Sequence, residues 1–547
     1  MEDGIKKAIN LDSMLESLGP FGTYNILNFV LLLFPVLLSS FYECGYIFEA
    51  QETLYRCEVE GCELNENKSW TEYAIPKNHE KNRFELCEMY ERRNVTVDEF
   101  RCLPDDFYNN KTVPCDKFIP KYRMVLDFGA HLTRVLFQFN LGCQEWKRAL
   151  VGTVHNTGMF TAMLFTGAIS DRYGRKVAVG MAALASFVFG LGRAFAPNYV
   201  VYLILHYFEA GFGGALYPSA YVLIVELVGL KQRVFVSAMC NMTFVIGVVM
   251  LGLLAWVVDN WRTYIIILYS PAIIVVLYVW FMNESARWLL SKGRRDEAIA
   301  ILARAAKINR MDPKKLDLDA LGDPLLKSDS KKTENVSQLR LAIKSSIIWK
   351  RLLICSFLWM TCSLVYYGLS INSVSLNGNK YISFMLVVLV EVPAYIVVVV
   401  VLDKYGRKRT LITTFVMCGS AIILFAFLPK TGWWSLTLYL VSKWSVTLAY
   451  SSVYIYVSEV FPTNMRQTLI SVCSTSGRIG SLLAPLTPLL SNYHSSLPTA
   501  IFGAMCVISS MLVLLLPETN NIRLPDTVEE AEELSRMKSS KNNVNAT

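Results

Sequence analysis

Four ionisable residues stand out inside long apolar stretches of this chain: Glu209, Glu391, Lys443 and Arg478. A charge in such a place is costly, so it marks a point where another charge is bound or handled. Glu391 stands two residues before Pro393, whose missing N–H frees backbone polar groups, and it is suited to attract a cation. Arg478, in Ser474-Thr-Ser-Gly-Arg-Ile-Gly-Ser481, stays charged in any surroundings and can grip a carboxylate bidentately. Together Glu391 and Arg478 suit a molecule with one cationic and one anionic end. They also suit structural pairing with each other, or with Lys443 and Glu209. Glu209 follows His206 by three residues, on one helix face, and this pair reads either as proton-sensitive or as structural.

Bond-making chemistry has no comparable signal. The five histidines (His79, His131, His155, His206, His494) form no His-Glu-x-x-His pattern, and no glycine-rich phosphate loop carries a lysine. The expectation is therefore a non-enzyme with no catalytic residue, metal or cofactor.

The elements that must position these charges are apolar helices. The 547 residues are 53% hydrophobic and only 18% charged, where about 25% charged is usual for a soluble domain. Apolar blocks predict about twelve spans, near 22–42, 149–170, 177–197, 199–225, 234–258, 262–282, 350–371, 381–402, 410–428, 434–457, 467–490 and 498–516. The first is not a cleavable signal, since Asp12 and Glu16 precede it and no small-residue cleavage site follows its apolar run. The spans divide into six and six at the polar stretch 284–349. This predicts bundles over 22–283 and 350–516, flanked by the polar segments 1–21 and 517–547.

The halves repeat each other. Asp171-Arg-Tyr-Gly-Arg-Lys176 returns as Asp403-Lys-Tyr-Gly-Arg-Lys408, and Glu226 with Arg233 returns as Glu459 with Arg466. A duplicated half inside an apolar chain is the signature of a membrane transporter. The ionic groups (Asp171, Arg175, Glu226, Arg233; Asp403, Arg407, Glu459, Arg466) suit clusters that form in one state and separate in another. They also suit a purely topogenic role. The net charge of +8 sits in these basic loops, which marks the cytoplasmic face rather than nucleic-acid binding. Both termini are then expected on that face.

Residues 43–148 form one large loop on the opposite side. It holds seven of the 13 cysteines and sequons at Asn67, Asn94 and Asn110. That combination predicts an oxidised, glycosylated outer face, with three disulfides among Cys57, Cys62, Cys87, Cys102, Cys115 and Cys143. Six cysteines leave the connectivity open.

An ordered set of motifs spans nearly the whole chain. It comprises Cys143-x-x-Trp146-Lys-Arg, Gly167-Ala-Ile-Ser-Asp-Arg-Tyr-Gly-Arg-Lys176, Glu284-Ser-Ala-Arg-Trp-Leu-Leu-Ser-Lys-Gly-Arg294, Val390-Glu-Val-Pro-Ala-Tyr395, Ser458-Glu-Val-Phe-Pro-Thr-Asn-Met-Arg466 and Pro517-Glu-Thr519. With it the chain resembles the organic cation, anion and carnitine transporter family of the major facilitator superfamily, and Val390–Tyr395 is most like the carnitine and organic cation branch. The resemblance implies an all-α, twelve-helix plasma-membrane protein working by alternating access on small organic ions. Carnitine-like or quaternary ammonium substrates are expected; an organic anion exchanger or a non-transporting sensor are the alternatives. It also implies that Phe244, Tyr366, Tyr367, Tyr450 and Tyr454 stand near the substrate with Glu391, Arg478 and Lys443, with Tyr217 and Tyr221 as weaker candidates. Many relatives carry Arg where this chain has His206. The coupling ion stays open between sodium, protons and exchange.

Overall fold

A backbone in lipid must satisfy its own polar groups, so apolar runs of this length become helices. The computed structural model describes residues 11, 14–15, 22–49, 55–59, 62, 70–78, 83–93, 102–120, 139–228, 232–258, 260–311, 345–376, 378–429, 432–462, 465–491, 493–494, 496–520, 525 and 528–533. Twelve long helical rods run through them. The first six are α1 Thr23–Glu49, α2 Glu145–Tyr173, α3 Arg175–Arg193, α4 Tyr199–Leu227, α5 Arg233–Val257 and α6 Trp261–Val279. The second six are α7 Ser346–Ser375, α8 Lys380–Tyr405, α9 Arg407–Phe427, α10 Trp433–Val460, α11 Thr468–Leu490 and α12 Leu497–Leu514.

Ten rods are long and apolar enough to cross a bilayer by composition alone. The other two, α2 and α10, bury polar groups instead, including His155 and Asn156 in α2 and Ser442, Lys443 and Ser445 in α10. Local chemistry sets the ends. Asn198, Ser345 and Asn379 accept backbone N–H bonds as N-caps of α4, α7 and α8. Gly174 and Gly406 turn the chain between α2 and α3 and between α8 and α9 at φ +109° and +85°, a conformation that side chains resist.

One buried core unites α1 to α6, and a second unites α7 to α12. Phe384 and Val388 of α8 belong to the first core, so the halves interlock there. Between α6 and α7, the short helices Ala286–Ser291 and Arg295–Ile308 pack through Trp288, Leu289 and Leu302.

One boundary differs from expectation. The first helix continues past residue 42 to Glu49, because Tyr46, Ile47 and Phe48 remain apolar and buried. The loop that follows carries three two-stranded antiparallel ladders: β1 (Tyr55–Cys57) with β6 (Phe118–Pro120), β2 (Lys77–Asn78) with β3 (Arg83–Phe84), and β4 (Glu88–Arg92) with β5 (Phe107–Pro114). Its six cysteines pair as Cys57–Cys115, Cys62–Cys102 and Cys87–Cys143. Their separations of 58, 40 and 56 residues make each bond worth about 4 kcal/mol in chain entropy. Asn110 is exposed on β5, whereas Asn67 and Asn94 lie outside the described residues.

Candidate functional site

Between the halves lies a small cavity lined by Glu43, Phe244, Tyr366, Tyr367, Ser370 and Glu391 among others. Pro393 cannot donate to the carbonyl of Leu389, and α8 breaks at Val390, one residue before Glu391. Glu391 is buried, accepts the Tyr366 hydroxyl at 2.8 Å and pairs with Lys443 at 3.0 Å. Lys443 is fully satisfied. Its ammonium also reaches Ser370 Oγ at 2.8 Å and the Tyr366 carbonyl at 3.2 Å, and it lies 3.2 Å from the centre of the Tyr366 ring. The acid expected to attract a cation thus already holds one from its own chain.

A second carboxylate, Glu43, takes the Tyr367 hydroxyl at 2.6 Å. Among the described residues no basic side chain lies within ion-pair distance of it. Arg478 faces both Tyr367 and Glu43, and its Nε lies 3.1 Å from Met163 Sδ across the gap between halves. Tyr366 meets Tyr367 edge-on at 5.2 Å and Tyr450 at 5.8 Å, giving the cavity an aromatic wall. Phe244 joins it from α5, with Tyr217 edge-on behind it at 5.7 Å and Tyr221 stacked on Tyr217. Tyr454 stands apart, more than half exposed and edge-on to Trp359. His206 and Glu209 are also remote, buried inside the first half with Glu49 and Arg193. A larger groove of about 670 Å³ along α2, α3 and α4 is lined by Phe165, Met181, Val188 and Phe212 and offers no charged group, as suits a lipid-covered face.

The two repeats build the same corner twice. Arg175 binds Asp171 at 2.5 Å and Glu226 at 3.3 Å; Arg407 binds Glu459 at 3.0 Å and Asp403 at 3.7 Å. Glu284 accepts the backbone N–H groups of Arg175 and Lys176 at 3.1 and 3.2 Å, and Glu518 accepts those of Arg407 and Lys408 at 3.0 and 3.3 Å. A carboxylate on freed N–H groups at a helix start is favourable in hydrogen bonding and in dipole alignment. Burial pushes the Glu284 carboxyl above its ordinary range, against the lowering effect of these donors. The ion pairs of Arg175 and Arg407 each stay within their own half. Arg233 begins α5, and Arg466 directs Nη2 at the Phe461 carbonyl, 3.5 Å away.

At the opposite end, which carries the disulfide loop, the halves are sealed by aromatic rings. Phe48 meets Phe384 edge-on at 4.8 Å and Tyr381 at 5.8 Å, and Trp256 stacks on Tyr381 at 6.3 Å. Small residues allow this approach: a Cβ on Gly152 would stand 2.7 Å from Pro485, and one on Gly252 would stand 2.9 Å from Met385.

The sequence pattern of the major facilitator superfamily matches residues 137–485 and 364–543. The chain belongs to that superfamily. It is 30% identical to mouse solute carrier family 22 member 3, over 96% of both chains. It is 28% identical to the organic cation transporter protein of Drosophila melanogaster and to human organic cation/carnitine transporter 2, over 96% of this chain and 95% of each relative. Among solved structures, the inward-open xylose transporter XylE of E. coli aligns with a TM-score of 0.54 at 16% identity. That alignment covers 71% of this chain and 89% of the other, and carries the fold alone. As a superfamily member within the organic cation, anion and carnitine group, the protein is a multi-pass membrane transporter and not an enzyme.

Three charged residues of the interior escaped the reading of the sequence. Glu43 and Glu49 fell beyond the expected end of the first span, although Tyr46, Ile47 and Phe48 continue the apolar run. Arg193 lay inside the expected third span and was a visible intramembrane charge. The pairing of Glu284 with Glu518 was also legible in outline, since each follows the last span of its half.

Proposed function

We propose that the protein carries small organic cations, including quaternary ammonium and carnitine-like zwitterionic compounds, across the plasma membrane by alternating access. The repeat end faces the cytoplasm with both termini, and the state described here is sealed outside. The observation that carries this reading is Glu43, a cavity carboxylate held by a tyrosine hydroxyl, with no basic side chain at ion-pair distance among the described residues. Tyr366, Tyr367 and Phe244 add aromatic faces, each worth roughly 0.5–2 kcal/mol to a bound ammonium. Arg478, beside Tyr367, suits the carboxylate of a zwitterion. Anion exchange is the second reading and rests on Lys443 and Arg478, but Glu391 already neutralises Lys443.

Uptake of tetraethylammonium by cells expressing the full chain tests the reading. Glu43→Gln should lower uptake about tenfold while surface expression persists. Unchanged uptake would sink the assignment. Arg478→Ala should spare tetraethylammonium and impair carnitine-like competitors. A panel of zwitterions, quaternary cations and dicarboxylates, with and without sodium, separates the cation reading from anion exchange.

A further inference from the structure

Inside the first half, away from the cavity, five elements bring ionisable groups to one sealed place. Arg193 of α3 binds Glu49 of α1 through two nitrogens, at 3.1 and 3.2 Å, and the Tyr269 hydroxyl of α6 at 2.9 Å. Tyr202 of α4 donates to Glu49 at 2.5 Å. One turn along α4, His206 Nδ1 meets Arg193 Nη1 and lies 3.4 Å from the Glu209 carboxylate. His155 of α2 stands ring to ring with His206, at 5.0 Å between centroids. Tyr42 of α1, stacked on Tyr269, Tyr46 of α1, against the His155 ring, and Tyr264 of α6 also border them.

Glu49, Arg193, His206 and Glu209 are all buried, and so is His155. Yet neither ring nitrogen of His155, nor His206 Nε2, nor either oxygen of Glu209 has a well-aligned hydrogen-bond partner among the described residues. One atom from each of His155, His206 and Glu209 lies within 4.8 Å of the other two. Unmatched polar atoms at such depth carry a desolvation cost that one bound cation would offset.

The charge count decides which cation. Two carboxylates and one guanidinium leave the cluster at −1 with both histidines neutral. A proton brings it to zero, whereas a divalent metal would leave it at +1 beside Arg193. We infer that His155, His206 and Glu209 form a proton-binding site, and that its proton exchanges for the organic cation in the neighbouring cavity. Tyr46 joins the two places: it lines the cavity, and its ring lies 4.8 Å from that of His155. The two carboxylates on the cavity wall, Glu43 and Glu391, are matched in number by the two cations behind it, Arg478 and Lys443. Cavity and cluster together therefore sum to −1 and are neutralised by one added positive charge, proton or substrate, while both at once give +1 in a medium of low dielectric. The proton moves between bulk water and the Glu209–histidine group, and no bond to substrate forms or breaks.

The exchange rests on the organic-cation reading; the site does not, and two measurements keep them apart. A difference titration of the detergent-solubilised full chain against Glu209→Gln, from about pH 5 to about pH 8, should show one extra proton bound by the wild type. Equal proton uptake overturns the site. If Glu209→Gln fails gel filtration, His206→Asn takes its place in both measurements. In proteoliposomes, both wild type and Glu209→Gln should sustain tetraethylammonium counterflow. A pH gradient of one unit should drive accumulation on the acid side by about tenfold in the wild type alone. Normal counterflow with no response to the gradient overturns the coupling. A titration difference without any counterflow supports the site and sinks the transport reading. Flux that answers to zinc or to a chelator, and not to pH, overturns the proton as the occupant.

Discussion

The repeat ends of the two halves are nearly one structure, while their buried charges share nothing. In the first half Arg175 gathers Asp171 and Glu226 under the Glu284 cap; in the second Arg407 gathers Asp403 and Glu459 under Glu518. Deeper in, Glu49–Arg193 is sealed with two tyrosines and a histidine, whereas Glu391–Lys443 opens on the cavity. The difference follows from what each place demands. A corner with a positive φ and freed N–H groups accepts few solutions, so both halves keep the same one. A buried interior asks only that charge be compensated, and many residue sets do that.

The comparison breaks most readily at the sealed pair. Arg193→Met leaves Glu49 buried without its cation and should cost about 3–5 kcal/mol, read as thermal unfolding of purified protein. Adding Glu49→Gln should recover most of that loss; a tolerated single variant would show that water reaches the site. Lys443→Met should cost less, about 2 kcal/mol, because Glu391 borders the cavity and keeps the Tyr366 hydroxyl. If the two losses are equal, the distinction between a sealed and an open pair fails.

The corners sharpen the other side of the comparison. Gly174→Ala and Gly406→Ala should each cost about 1–2 kcal/mol through the strained backbone, Gly174→Ala the more, because its Cβ would run into the Glu284 carboxylate while that of Gly406 only crowds Glu518. Equal melting shifts would mean that the Glu284 side chain gives way freely. The smallest effect is expected at the seal. Phe48→Ala removes the edge-on contact with Phe384 and should favour opening at the loop end by about 1 kcal/mol, about fivefold. Maleimide labelling of Cys44, an unpaired thiol on the cavity wall, reads that change from outside intact cells.

Glu391 and Arg478 were legible as binding candidates because an ionisable residue in an apolar run is conspicuous. Pairing of Glu391 with Lys443 stood among the alternatives, but which alternative forms was not legible. Glu391 reads as a cation attractor until Lys443 of α10 is found 3.0 Å away. Tyr454 shares a helix face with Tyr450 by spacing, yet only Tyr450 contacts the Tyr366 wall; Tyr454, one turn further along α10, is exposed beside Trp359. His206 and Glu209 were legible as a pair, but not the Glu49–Arg193 partner set that surrounds them.

The sequence by itself determined the number of rods, most of their ends, the duplicated halves and the six cysteines of the loop. Those features depend on run length, capping residues and local spacing, which act within a few turns of chain. Tertiary structure alone decided which buried charges meet. Glu49 finds Arg193 across 144 residues, and Tyr367 finds Glu43 across 324. Such meetings depend on how each helix is rotated about its axis and against which neighbour it packs. No local pattern carries that information, because in lipid nearly every helix face is apolar.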